Sequence, residues 1–125
     1  MQLVWIGATW EGGPETDDPV TALNDELREV VAVTGSQFVE AAALLSGSDG
    51  HYTDSVPAPD GALIRLFEPD GSDLCPDGAA RLGAAVAQAV SARWGVTPAA
   101  GWEAGGWRRD ARYDRTIPGA GCADR

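Results

Sequence analysis

Apolar and polar positions along the chain fall into blocks set apart by Gly, Pro and Asp, and the most informative block runs from Leu63 to Gly95. Leu63 to Phe67 is apolar except for Arg65 and holds no Gly or Pro, a pattern that predicts a strand. Pro69-Asp70-Gly71-Ser72 follows as turn chemistry, with Pro fixing φ and Gly tolerating the left-handed region. Asp77 can then cap the first free amides of a helix, and Gly95 stands where a left-handed residue closes one. Between these two, only Arg81, Gln88, Ser91 and Arg93 are polar. A helix so apolar and so thin is expected to be surrounded, as the axis of a curved sheet.

The rest of the chain reads in order. Met1 to Ala8 (MQLVWIGA) is a first strand, and Trp10 to Asp18 is a loop rich in Gly, Pro and acids. Pro19 to Leu23 reads as a short second strand. Asn24 or Asp25 caps a helix over residues 26–33, with acids in its first turn favoured by the helix dipole and Gly35 as its stop. Phe38 to Leu45 is apolar apart from Glu40; it fits strand or helix, and its turn-rich flanks favour strand. Ser46 to Pro59 is a polar loop with an extended piece near His51 to Val56. After Gly95 the periodicity ends. Residues 96–125 are either a poorly ordered tail or a segment that wraps back onto the core through Trp102 and Trp107. The division is therefore a domain over 1–95 and a tail over 96–125.

Composition narrows the functional classes. The chain has 125 residues, 44% of them hydrophobic, which is enough for one small domain with little margin. Net charge is −10, and all nine basic residues are Arg. Four of them precede Gly95, against fifteen carboxylates, so nucleic acid and anionic membranes are repelled rather than attracted. No apolar run approaches the roughly 20 residues of a bilayer span, and the N-terminus lacks the basic and apolar regions of a signal peptide. Two distant cysteines do not suggest a disulfide framework, so the expected location is cytoplasmic. The one histidine, His51, lies in a polar loop and reads as solvated; with two Cys it leaves zinc or iron short of ligands. Without Lys there is no lysine-bearing phosphate loop. The acids at Asp17-Asp18 and from Asp70 to Asp77 do not have EF-hand spacing and read as solvated turns.

Several short motifs occur in a meaningful order: Asp18-Pro19-Val20, Glu40-Ala41-Ala42, Arg65-Leu66-Phe67-Glu68-Pro69, Asp73-Leu74, and Gly78-Ala79 opening a helix that contains Leu82-Gly83-Ala84-Ala85. This order resembles the N-terminal half of the phenazine-biosynthesis isomerase (PhzF-like) family, within the diaminopimelate-epimerase superfamily. The resemblance covers about residues 1 to 94. It implies an α+β fold, a half-barrel of mixed β-sheet curved around the Asp77–Trp94 helix. It also implies a cofactor-independent, metal-free isomerase of a small carboxylate-bearing substrate. Glu40 matches the glutamate that moves the proton, and such a group needs a buried site that brings its pKa toward neutrality. The backbone amides of Asp77, Gly78 and Ala79 match those that hold the substrate carboxylate at a helix N-terminus. The family's histidine position is Ala79 here, and Val39 and Ala41 replace the residues that flank the glutamate. Cys75 also resembles the thiol of the epimerase branch, but Cys122 lies outside the matching second motif and Pro76 removes an amide, so a structural Cys75 is the reading preferred.

Members of that superfamily carry two halves with the site between them, and one half alone cannot exclude water from a substrate. Two function classes follow. One is an isomerase active as a homodimer or with a complementary half-domain. The other is a catalytically silent half-domain that serves as an interaction or scaffold module.

Overall fold

The apolar run at the N-terminus forms β1 (Val4–Ile6) in the computed structural model, which describes residues 2–12, 14–113 and 122. Met1, placed in this strand by sequence, lies outside the described residues. A 3₁₀ turn at Pro14–Thr16 leads into α1 (Asp17–Val33). The strand expected over 19–23 is thus helix, and the helix begins well before residue 26. Pro19 lies in the first turn, where its missing N–H has no helical acceptor to lose. Asp17 and Asp18 put negative charge at the positive end of the dipole. Gly35 follows the helix with φ +66°, as the sequence predicts, and its N–H reaches the Ala32 carbonyl at 3.2 Å.

β2 (Gln37–Val39) lies parallel to β1, with Trp5 opposite Phe38 and Ile6 opposite Val39. A parallel pair cannot be closed by a tight turn, and α1 is the crossover that joins the two. The strand expected over 38–45 stops at Val39. Ala41–Leu44, a run of strong helix formers, makes the single turn α2 instead and buries Ala41 and Ala42. Next come β3 (Ser55–Pro57) and β4 (Leu63–Arg65), an antiparallel pair joined through a turn in which Gly61 has φ +83°. Beyond β4 the chain stays extended: the Leu66 amide bonds the Asp54 carbonyl at 2.8 Å, and Phe67 bridges to Leu74.

α3 (Pro76–Trp94) has Pro at its first position and Gly95 (φ +66°) at its end. Its flanking residue is Cys75 rather than Asp77. The secondary-structure content is α+β, but the curved half-barrel is absent among the described residues. Four strands of three residues each make two separate two-stranded sheets. α3 is a surface helix rather than an axis, since only Gly78 and Ala89 are fully buried in it.

The core lies beside the helix, where Trp10, Val20, Ala42, Leu45, Val56, Leu66 and Phe67 form one buried cluster. The small residues of α3 serve close approach. The Cys75 amide bonds the Leu66 carbonyl at 2.9 Å, and a Cβ on Gly78 would overlap that same carbonyl oxygen. Further along, Trp102 lies on Gly83, where an added Cβ would come within 2.7 Å of the indole. Trp102 of the described tail residues thus packs on α3. Trp107 Nε1 donates to the Trp102 carbonyl at 2.7 Å, and the two rings stack 6.4 Å apart. Residues 114–121 and 123–125 lie outside the described part.

Cys75 and Cys122 form a disulfide, which corrects the reading that two distant cysteines do not suggest a disulfide framework. Their separation of 47 residues gave no spacing signal. A loop of that length implies about 4 kcal/mol of stabilisation if the effect is entropy lost by the unfolded chain.

Gly78→Ala is expected to destabilise the fold by about 2–4 kcal/mol, because backbone rather than a flexible side chain fills the space its methyl needs. Gly83→Ala meets only an indole that can shift, and it is expected to cost less. Urea midpoints of the two variants against the parent chain check the order.

Candidate functional site

Glu40 stands directly after β2, at the carboxyl end of the parallel pair, where open α/β sheets commonly hold ligands. It is not an isolated buried acid. Its two oxygens accept from Arg28 Nε at 2.6 Å and Nη2 at 2.8 Å, a two-pronged pair, and both side chains are close to half exposed. Arg28 also donates to Asp25 at 2.7 Å, and its guanidinium lies 5.6 Å from the centre of the Phe38 ring. Hydrogen bonding to Glu40, then to Asp25, holds the Arg28 pKa above its ordinary value. The sequence reading expects a lone buried acid here, and the structure places a half-exposed ion pair instead.

Asp77, Gly78 and Ala79 occupy the first turn of α3, but it is not an empty cradle. The Ala79 amide bonds the Cys75 carbonyl at 2.9 Å, and Gly78 packs on Leu66. Arg108 reaches over from the tail, pairing with the Asp77 carboxylate and donating to the Pro76 carbonyl at 3.3 Å. Glu40 lines a cleft of about 150 Å³ with Trp10, Asn24 and Arg28, whereas Ala79 lines an apolar groove on α3. Neither space contains both.

Two other polar groupings join residues that the sequence reads as solvated. His51 Nδ1 lies 3.0 Å from Asp17 Oδ2, which also accepts the Tyr52 amide at 3.1 Å, so a buried carboxylate ties the 46–52 loop to the first turn of α1. Glu68, Asp70 and Asp73 bring one carboxylate oxygen each to within 4.8 Å of one another. Glu68 is buried. Asp70 Oδ1 accepts the amides of Ser72 and Asp73, as an Asx-type turn requires. Exposed acidic groups such as Asp70 and Asp73 commonly converge without an ion.

An apolar surface is also left open among the described residues. Side chains alternate along β1, so Trp5 shares a face with Phe38 on the Arg28 and α1 side, while Ile6 points to α3. Both are uncovered, at 41% and 50% exposure, although helices pack on both faces of the pair. In a parallel sheet such residues are normally closed in by the next strand. Ile6 continues into a groove of about 560 Å³ with Leu74, Leu82, Val86, Val90 and Trp102, and every lining residue is uncharged. On α1, Leu23 and Val30, two turns apart, are exposed as well. No described strand pairs with the outer edge of β1.

A family model described as a protein of unknown function (DUF459) matches residues 1–89. No curated protein and no solved structure matches the chain. The family match overturns the resemblance to the phenazine-biosynthesis isomerases, because it covers the same segment and points to a different family. The motifs behind that resemblance are turn and helix-start signals that many strand–turn–helix units share.

Two outcomes follow. Glu40→Gln is expected to lower stability by less than about 1 kcal/mol, as for other exposed ion pairs, with chemical denaturation as the check. Tyr52 behaves differently: burial, then the charges of Asp54 and Asp70, raise its pKa above the ordinary 10.0. Its hydroxyl is therefore easier to ionise in the unfolded chain. The associated stability is full below about pH 10 and is lost as pH rises through the folded pKa. Denaturation midpoints at about pH 9 and about pH 11 should fall less in Tyr52→Phe than in the parent.

Proposed function

The chain belongs to this family of unknown function, and we propose that it is a catalytically silent interaction module that completes its sheet at β1 by pairing with a second copy of itself. The observation that carries this reading is the outer edge of β1, with Trp5 and Ile6 uncovered on opposite faces of a two-stranded parallel pair. Free strand edges and contiguous apolar patches are liabilities that soluble proteins cover or pair. A two-fold axis perpendicular to the sheet would set β1 antiparallel to its copy, in the order β2-β1-β1-β2. Such an axis also keeps the two α3 helices on one face, so that the same apolar groove meets itself, as an isologous contact requires.

Charge favours a second copy at this face over any other. Net charge is −10, but the groove is lined by uncharged residues, so repulsion between copies stays at the periphery. The pairing of Glu40 with Arg28 and of Asp77 with Arg108 speaks against a proton-transfer site on one chain. No described helix is long and apolar enough to cross a membrane. The cytoplasmic expectation loses support from the disulfide, since a reducing compartment keeps such a bond open.

Light scattering on a size-exclusion column at tens of micromolar tests the reading. The parent chain is expected at twice the 13.0 kDa chain mass, and Ile6→Glu at the single mass with an unchanged far-ultraviolet spectrum. A parent that stays monomeric, or an Ile6→Glu variant that remains dimeric, contradicts it.

A further inference from the structure

The covalent tie between the tail and α3 is placed where it can control what α3 exposes. Residues 96–113 run along the helix as a strap, and Trp102 covers Gly83. Arg108 caps the first turn through Asp77 and Pro76, stacks its guanidinium 5.6 Å from the Trp107 ring, and donates to the Glu103 carbonyl. Cys122 fastens the strap: its amide bonds the Tyr113 carbonyl at 3.1 Å, and its sulfur is bonded to Cys75. The rest of the strap is 3₁₀ turns, at Trp102–Ala104, Gly106–Arg109 and Ala111–Tyr113. Such short turns hold little stability of their own.

We propose that the Cys75–Cys122 disulfide is a reducible latch, whose opening by a dithiol reductant frees the strap and bares the face of α3 beneath Trp102. The two sulfurs are unequal. Cys75 is buried at 2% exposure, whereas Cys122 is only half-buried, so the latch is taken to open by attack at Cys122. Attack on Cys122 forms a mixed disulfide and breaks the bond to Cys75. The electron pair leaves on Cys75, the residue flanking the N-terminus of the 19-residue α3. The reductant's second thiolate then releases Cys122. The disulfide is reduced to two thiols, and the dithiol is oxidised to its own disulfide. Trp102 also lines the groove of the proposed self-contact, so the latch is read at Arg108 and Arg109, which do not line that groove.

The test uses the full chain with dithiothreitol as the dithiol, and limited trypsin digestion followed by mass spectrometry. The chain has no Lys, so cleavage occurs only at Arg, and Arg108 and Arg109 both lie in the strap. Reduction is expected to speed cleavage at these two sites by about tenfold, because proteolysis follows the population of the opened form. It should also raise binding of an apolar dye while helical circular dichroism is retained. Cys122→Ser should show the same cleavage without reductant. Unchanged cleavage on reduction would falsify the latch. So would global loss of helical signal, which makes the bond a staple for the whole fold, or free thiols in protein isolated under air. If Cys122→Ser does not fold, the reduced parent chain alone decides.

Discussion

A parallel strand pair cannot be closed by a tight turn, and most of this architecture follows from that constraint. β1 and β2 are joined by seventeen residues of helix, and α1 must lie against the pair to bury Val20, Asn24 and Val31. The crossover is pinned at one end by Asn24. Its amide oxygen accepts the Ala8 N–H at 2.7 Å, and its amide nitrogen donates to the Ala8 carbonyl at 2.9 Å. That bracket satisfies the backbone as it leaves β1, and it leaves no room on Gly7 for a side chain beside Phe38. With α1 on one face and α3 on the other, the two strands have the layering of an α/β sheet without its width. Exposed Trp5 and Ile6 are the consequence.

Local punctuation was the part of the fold legible in the sequence. Gly35 and Gly95 both end helices at positive φ, and Leu63–Arg65 is a strand. Residues 19–23 read as a short strand by sequence but form helix, because a Pro at the third residue of a helix breaks nothing. The 38–45 run misled because its apolar residues serve two elements, a three-residue strand and one turn of helix, each too short to show its own period. α3 was read as an enclosed axis from its Ala and Gly content. Those residues instead allow a backbone carbonyl at Gly78 and an indole at Gly83 to approach, while much of the helix remains uncovered.

The candidate site was less legible, and for a physical reason. Glu40 is expected within a strand and Asp77 as a helix cap, whereas Glu40 follows β2 and Asp77 lies inside the first turn of α3; nor can the sequence say which charge lies across from either. Arg28 is twelve residues from Glu40 and Arg108 thirty-one from Asp77, distances over which no local pattern acts. The same holds for Cys75 and Cys122. The edge of β1 was invisible for the opposite reason: VWI reads as an ordinary buried strand, and its exposure depends on a neighbour that the fold does not supply among the described residues. The family match over residues 1–89 stops short of the strap, so the paired strands and most of α3 belong to the shared unit while the latch residue Cys122 lies outside it.

The most direct measurement is an isotope-filtered nuclear Overhauser experiment on an equimolar mixture of labelled and unlabelled chains. It reports contacts between copies and none within one. Cross-peaks linking Val4, Trp5 and Ile6 of one copy to the same residues of the other are expected, together with contacts between Val86 or Val90 and their counterparts. A mixture with no such cross-peaks, in which the β1 amides exchange with solvent as fast as those of exposed loops, would contradict pairing at β1.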